Sequence, residues 1–129
     1  MVDTVVTYTT NHVDVPYVDA MILNNVTVQA TGNSETIYIG KLTHIELLAN
    51  VGILTGVTDI TFHITVLGGN ASTVVRTFDG TQLSASDATD YILVNGLSIG
   101  TYVKITWTSS GGLDDTHKFA NVYVQFIAK

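Results

Sequence analysis

One histidine and one glutamate have a spacing that could support proton chemistry. His44 and Glu46 are separated by a single residue, so on a β-strand both side chains would project from the same face. An imidazole beside a carboxylate can act as a general acid–base pair. On a protein surface the same pair is more often an ion pair of little energetic value, and we favour this second interpretation.

An acidic loop is the second candidate for chemistry. Residues 114–117 (Asp-Asp-Thr-His) follow two glycines and lie between two well-patterned segments. Carboxylate oxygens on a loop are ligands that calcium prefers. The segment lacks the D-x-D-x-D-G order with a distant glutamate that calcium-binding loops use. We therefore predict a solvated hairpin loop without a metal.

Other catalytic or cofactor-binding patterns are absent from the sequence. The four histidines form no HxH, HxxxH or HExxH spacing: His12, His44, His63 and His117. The absence of cysteine excludes disulfides, zinc–thiolate sites and cysteine nucleophiles. The two glutamates suggest no acid pair for glycoside hydrolysis, and no G-x-S-x-G elbow, P-loop or dinucleotide fingerprint occurs. We predict a protein that is not an enzyme, with no catalytic residue, metal or cofactor.

The charge balance narrows the class of partner. Eleven Asp and Glu residues against five Lys and Arg residues give a net charge of −6. Nucleic acids and anionic membranes are bound by clustered cations, so we predict neither as a partner. No uncharged apolar run approaches the roughly 18 residues of a transmembrane helix. The first residues, Met-Val-Asp-Thr, lack the basic start of a signal peptide, so we expect neither kind of segment.

The composition predicts the elements that must position these residues. The chain holds 20 Thr, 17 Val and 11 Ile, β-branched side chains that suit a pleated, half-buried surface. Clear alternation marks strands at residues 58–67, 101–108 and 119–128, with weaker strands at 2–9, 22–30, 36–39, 42–49, 72–78 and 91–94. Short strands separated by turn signals are typical of a sandwich or a barrel. We predict an all-β fold: an antiparallel, jelly-roll-like β-sandwich of eight or nine strands, with a closed barrel as the alternative.

The alternation also assigns faces to the three clear strands. The first strand directs four residues toward the core: Ile60, Phe62, Ile64 and Val66. The two later strands direct seven residues inward: Val103, Ile105, Trp107, Ala120, Val122, Val124 and Phe126. Four aromatic residues are predicted to project from the polar faces of their strands: Tyr38, Tyr102, Phe119 and Tyr123. They could contact a partner there, but we favour the alternative that they belong to a second packed face of the sandwich, with the inward and outward assignments reversed.

The first twenty residues differ from the rest of the chain. They carry three aspartates, no lysine or arginine, and the only proline, Pro16. We predict that residues 1–20 form an N-terminal arm or edge strand beside a single β-sandwich domain at residues 21–129. Apolar side chains of the arm are expected to pack on a neighbouring subunit or a larger shell: Val5, Tyr8, Val13, Val15 and Tyr17.

A strand pattern in the second half of the chain resembles small virion proteins of tailed phages. It comprises residues 100–108, a Ser/Gly loop at 109–112 and an alternating final strand at 119–129, preceded by strands like 45–49 and 60–66. The resemblance implies a sandwich or jelly-roll protein that decorates or cements a capsid, or forms part of the tail.

Two hypotheses for the function follow. The favoured one is a capsid decoration (cement) protein that is assembled into the virion in the host cytoplasm. Its partners would be the major capsid protein or other virion subunits, and it would form a homo-oligomer, with a trimer as first choice. Low charge fits this hypothesis because interface cores are depleted in charged residues. The alternative is a carbohydrate- or receptor-binding module, which rests on the outward Tyr38, Tyr102 and Tyr123.

Overall fold

Ten β-strands make up the fold in the computed structural model, which describes residues 17–96 and 102–129. In chain order they are β1 (Val18–Val28), β2 (Gly32–Asn33), β3 (Ile37–Tyr38), β4 (Ile45–Asn50), β5 (Ile53–Thr55), β6 (Thr61–Gly68), β7 (Thr73–Asp79), β8 (Thr89–Val94), β9 (Tyr102–Thr108) and β10 (Lys118–Ala128). Among the described residues there is no helix that could cross a membrane. The all-β prediction is confirmed.

Two antiparallel sheets form a sandwich. Sheet I has the strand order β1-β10-β4-β8, and β5 continues the line of β4 along β10. Sheet II has the order β2-β9-β6-β7, and β3 also pairs with β9. The connections from β7 to β8 and from β9 to β10 cross from one sheet to the other, as in a jelly-roll path. The predicted antiparallel β-sandwich is therefore confirmed.

The core lies between the sheets and uses the faces that the alternation predicts for β6 and β9. Phe62 and Ile64 of β6 are fully buried, as is Ile105 of β9. Trp107 is nearly buried: its ring centroid lies 6.3 Å from that of Phe62, and its indole N–H donates to the carbonyl of Ala30 at 3.1 Å. Because the only polar atom of the indole is satisfied, the ring can be buried at little cost.

A bulge makes β10 depart from the predicted alternation. Asn121 adopts φ = 55° and Asn25 of β1 adopts φ = 56°; Nδ2 of Asn121 donates to Oδ1 of Asn25 at 2.8 Å. The register between β1 and β10 shifts here, so Phe119 and Val122 both face the core although two residues, an even number, lie between them. The outward prediction for Phe119 is wrong because this residue is fully buried, whereas Ala120 is only half-buried.

Strand boundaries differ from the prediction at several places. β1 begins at Val18, so residues 18–20 of the predicted arm already pair with β10. β2 and β5 have no counterpart among the predicted strands, since two or three residues carry no periodicity. The strand predicted at residues 2–9 lies outside the described residues.

Candidate interaction surfaces

The outer face of sheet I carries the side chains that alternate with its core residues. In one row across the sheet, Gln125 of β10 pairs with Leu48 of β4, which pairs with Tyr91 of β8. In the next outward row, Glu46 pairs with Leu93. Cross-strand partners share a face of the sheet, so both rows lie on the solvent side.

Large apolar side chains are concentrated on this surface. Five of them are exposed: Met21, Leu48, Tyr91, Leu93 and Tyr123. Their relative exposure ranges from 39% for Tyr123 to 53% for Tyr91. A strand spacing of about 4.8 Å and a rise of about 3.3 Å per residue give this four-stranded patch a footprint of roughly 300 Å². Exposed apolar side chains gathered on one face of a sheet often mark contact sites. We call this group, in which Gln125 lies between Met21 and Leu48, the apolar face.

The outer face of sheet II has different chemistry. It is lined by threonines of β6, β7 and β9: Thr61, Thr65, Thr77, Thr106 and Thr108. His63 lies among them, with Nδ1 2.7 Å from Asp79 Oδ1 and Nε2 2.8 Å from Thr108 Oγ1. We call this surface the threonine face. The groups of the threonine face are polar and partly paired with one another. The apolar face is therefore the stronger candidate for protein contact.

His44 and Glu46 form the predicted surface ion pair at the margin of the apolar face. His44 Nε2 lies 2.7 Å from Glu46 Oε2, and His44 Nδ1 is hydrogen-bonded to the side-chain oxygen of Asn95. The Tyr91 hydroxyl donates to Glu46 Oε1. Lys129 Nζ lies 3.6 Å from Glu46 Oε2. The network therefore links β4 to β8 and to residue 129.

Hydrogen bonding shifts the pKa values in this network. Hydrogen bonds from Tyr91 and from His44 lower the pKa of Glu46 from 4.5 to about 2. The pKa of His44 is raised, first by its bond to Glu46 and then by its bond to Asn95. Glu46 is thus ionised at neutral pH, and His44 keeps its proton to a higher pH than a free histidine. The arrangement holds a charged pair across two strands at the surface, where such pairs stabilise a fold only slightly.

The acidic loop is ordered by its own hydrogen bonds. Asp114 Oδ1 lies 2.9 Å from His117 Nδ1 and accepts from the backbone N–H and the hydroxyl of Thr116, both at 2.8 Å. These hydrogen bonds hold the pKa of Asp114 well below its usual range, and the bond from His117 has the largest effect. Within residues 17–96 and 102–129, no three His, Cys, Asp or Glu side chains are grouped to hold a metal. The hairpin prediction is wrong because the loop joins β9 of sheet II to β10 of sheet I.

The tyrosines predicted to make contacts lie on different surfaces. Tyr17 precedes β1 and is exposed, whereas Tyr123 belongs to the apolar face. Tyr38 and Tyr102 are brought together, half-buried and edge-to-face on sheet II with ring centroids 5.4 Å apart. The remaining candidates lie outside the described residues: Val5, Tyr8, Val13 and Val15.

Sequence reasoning misses most of the apolar face. Leu48 directly follows Leu47, and residues 91–94 form a continuous run of apolar side chains. In such runs apolar residues do not alternate with polar ones, so the sequence does not distinguish the outward residues from the inward ones. The run itself is a signal of exposed apolar residues. If one face of the sheet is solvated, every second residue of the run must lie on that face.

No protein-family model matches the sequence, and no curated protein matches it. Solved structures do resemble the fold. A chain in the crystal structure of the T13 viral particle of infectious bursal disease virus aligns with a TM-score of 0.54 and 12% identity, over 87% of this chain and 30% of that chain. A chain in the structure of the Gx strain of this virus gives a TM-score of 0.51 and 12% identity, over 86% and 31%. The SPBc2 prophage-derived protein YomS aligns with a TM-score of 0.48 and 10% identity, over 87% of this chain and 91% of that protein.

These similarities concern the fold. The chain spans about a third of the length of the two viral chains that it matches. A β-sandwich of this kind therefore occurs as one part of a chain in a viral particle.

Proposed function

We propose that the protein is a non-enzymatic structural component of a virion, and that it serves as a capsid decoration protein. The observation that carries the proposal is the apolar face of sheet I, which exposes Leu48, Tyr91 and Leu93 on one side of the sheet. The class of protein is supported by the fold shared with a chain of a viral particle. It is also supported by the strand pattern that resembles small virion proteins of tailed phages.

The apolar face has the composition of an interface centre. Leu48 and Leu93 are aliphatic, and the Tyr91 hydroxyl is already bonded to Glu46. Two charged groups border these residues and pair with each other: Glu46 lies opposite Leu93, and Lys129 Nζ lies 3.6 Å from Glu46 Oε2. Interface centres are depleted in charge and surrounded by a polar rim. Since a standard interface takes about 800 Å² from each partner, the patch would form its central part.

Capsid binding tests this proposal. The partner is an empty capsid assembled from the major capsid protein encoded in the same genome, and the measurement is co-sedimentation. Leu48→Glu places a carboxylate at the centre of the apolar face, so we expect at least tenfold weaker binding. The matched control, Thr65→Glu, places the same charge on the threonine face and should bind like the unmodified protein.

Two outcomes of the capsid-binding experiment would contradict the proposal. Failure of the unmodified protein to bind capsids, or equal binding by the two variants, contradicts the proposal. Circular dichroism shows whether each variant keeps the β-sandwich, which it should, because Leu48 is exposed and Thr65 lies on an outer face.

A carbohydrate- or receptor-binding function is the second candidate. Tyr91 and Tyr123 are exposed on the same face of sheet I, and exposed aromatic rings can stack on sugars. A glycan array distinguishes the two functions: specific glycan binding that is lost in Tyr91→Ala and Tyr123→Ala would favour this second candidate. Capsid binding without glycan binding favours the first.

A further inference from the structure

One asparagine of the chain combines an exposed position with a glycine as its next residue. Asn95 follows directly after β8, and Asn95–Gly96 is the only Asn–Gly pair in the sequence. Both residues are exposed. The backbone nitrogen that follows an asparagine can attack the side-chain amide carbon, and glycine hinders this attack least because it has no Cβ. The pair is therefore the place in the sequence where an asparagine is chemically least protected.

The structure distinguishes this pair from the related Asp79–Gly80 pair at the end of β7. The Gly80 N–H donates to the Phe62 carbonyl at 2.9 Å. A Cβ at Gly80 would lie 2.0 Å from Asp90 Oδ2 and 2.7 Å from the Phe62 carbonyl oxygen. The Gly80 nitrogen is thus held in a packed turn and is not available to attack the side chain before it.

Gly96 has none of these restraints. It adopts φ = 74°, and no atom of the described residues beyond its chain neighbours lies within 4 Å of the position that a Cβ would take. The Gly96 N–H donates no hydrogen bond to any of residues 17–96 and 102–129. Since neither packing nor a hydrogen bond from that part of the chain holds this nitrogen, it can approach the Asn95 side chain.

The side-chain amide of Asn95 is bonded to a charged group. Nδ1 of His44 is hydrogen-bonded to Oδ1 of Asn95, and Nε2 of the same ring lies 2.7 Å from Glu46 Oε2. Both partners accept hydrogen bonds, so both ring nitrogens must donate, which is the pattern of an imidazolium. A positive charge at the amide oxygen of Asn95 draws electrons from the carbonyl and makes its carbon a better electrophile.

We propose that Asn95 is a modification site at which the chain deamidates itself, with Gly96 as the nucleophile and His44 as the group that polarises the amide. The Gly96 nitrogen forms a bond to Cγ of Asn95, and the bond from Cγ to Nδ2 breaks. The proton lost by the Gly96 nitrogen leaves with the amide nitrogen as ammonia. Water then opens the resulting succinimide: attack at Cγ yields aspartate, and attack at the backbone carbonyl yields isoaspartate.

The fold accommodates the charge that this reaction creates. Aspartate at position 95 would place a carboxylate on Nδ1 of His44, whose Nε2 already contacts Glu46. An imidazolium between two carboxylates is stabilised by both of them, so the aspartate form should keep the link between β4 and β8. Position 95 lies two residues after Leu93, so the modification adds a negative charge beside the apolar face. The inference does not depend on the proposed function.

Peptide mapping of the full-length protein tests this assignment. The folded protein is incubated at neutral pH, sampled over time and digested with trypsin. The tryptic peptide of residues 77–104 contains Asn95 as its only asparagine, so its mass gain and its isoaspartate content report this site. We expect deamidation there to be at least tenfold faster than in the peptide of residues 42–76, which contains Asn50 and Asn70.

Three variants test the part played by His44. His44→Gln keeps a hydrogen-bond donor but carries no charge, so deamidation at Asn95 should slow at least threefold. Glu46→Gln removes the carboxylate that holds the imidazole in its charged form, and should slow the reaction as well. The matched control, His63→Gln, replaces a histidine of the threonine face and should leave the rate unchanged. In concentrated urea His44 is no longer held at Asn95, so all four proteins should react equally fast.

Three results would overturn the inference. The first is a rate at Asn95 in the folded protein that is no higher than the rates at Asn50 and Asn70. The second is that His44→Gln and Glu46→Gln, both shown by circular dichroism to be folded, react as fast as the unmodified protein. The third is a difference between the unmodified protein and His44→Gln that persists in urea, because the effect would then not come from the folded contact.

Discussion

Asn25 and Asn121 lie across from each other in β1 and β10, both with a left-handed backbone and with their side chains hydrogen-bonded. Asparagine tolerates this conformation better than most residues with a side chain. The bulge that it permits changes which residues face inward, so Phe119 joins the core together with Val122. One backbone angle thus fixes the orientation of several side chains in β10.

Substitution of Asn121 should expose this constraint. Asn121→Val forces a β-branched residue into φ = 55° and removes the bond to Asn25, so we expect a loss of about 1–3 kcal/mol in the free energy of unfolding. Asn121→Gly removes the same bond but adopts the angle freely, and should cost less than about 1 kcal/mol. Urea denaturation measures the free energy of unfolding of both variants. Equal stability of the two would show that the backbone angle of residue 121 does not limit which side chain is tolerated there.

At the scale of elements, β4 and β8 are joined by side chains as well as by their backbones. The Glu46 carboxylate of β4 accepts a hydrogen bond from Tyr91 of β8, and His44 connects it to Asn95. β8 has no other strand neighbour among the described residues, so these contacts help to hold an edge strand in place.

This network predicts a dependence of stability on pH. The pKa of Glu46 is about 2 in the folded chain, below its ordinary 4.5, so its stabilising contribution is full above about pH 4.5 and is lost as the pH falls through 2. Glu46→Gln lacks this contribution. We expect the melting temperature of the unmodified protein to exceed that of Glu46→Gln at pH 6, and the difference to vanish near pH 2.

Tyr91→Phe is the companion variant, because the Tyr91 hydroxyl provides the largest part of the shift. Its melting temperature should fall less than that of the unmodified protein between pH 4.5 and 2. A constant difference between the unmodified protein and Glu46→Gln over the whole range would mean that the carboxylate is not stabilised by the fold.

The elements that sequence predicts well are those with strong contrast between their faces. β6 and β9 alternate threonine or charge with aliphatic and aromatic residues, and their core faces are confirmed at Phe62 and Trp107. The apolar face escapes prediction because β4 and β8 place apolar residues on both sides.

At the scale of the whole molecule, the sandwich depends on pairings between distant parts of the sequence. β10, the last strand, lies between β1 and β4 in sheet I, with Val18 opposite Ala128. Contacts of this kind require large loops to close before any pairing is gained. The topology therefore sets the folding rate more than any single residue does.

Refolding should accordingly be slow for a chain of this size. We expect refolding from urea in the millisecond-to-second range, as for other all-β sandwiches. Trp107 is nearly buried beside Phe62, so its fluorescence in a stopped-flow instrument reports core formation. Refolding within microseconds would contradict the importance that we give to these long-range pairings.

The central place of β10 also matters while the polypeptide is being synthesised. The strands of sheet II are all present once residue 108 has left the ribosome, but sheet I lacks its middle strand until residues 118–128 emerge. The apolar face can therefore form only after these residues have emerged. A polypeptide released before residue 118 would lack this face, so under the proposed function it could not bind a capsid.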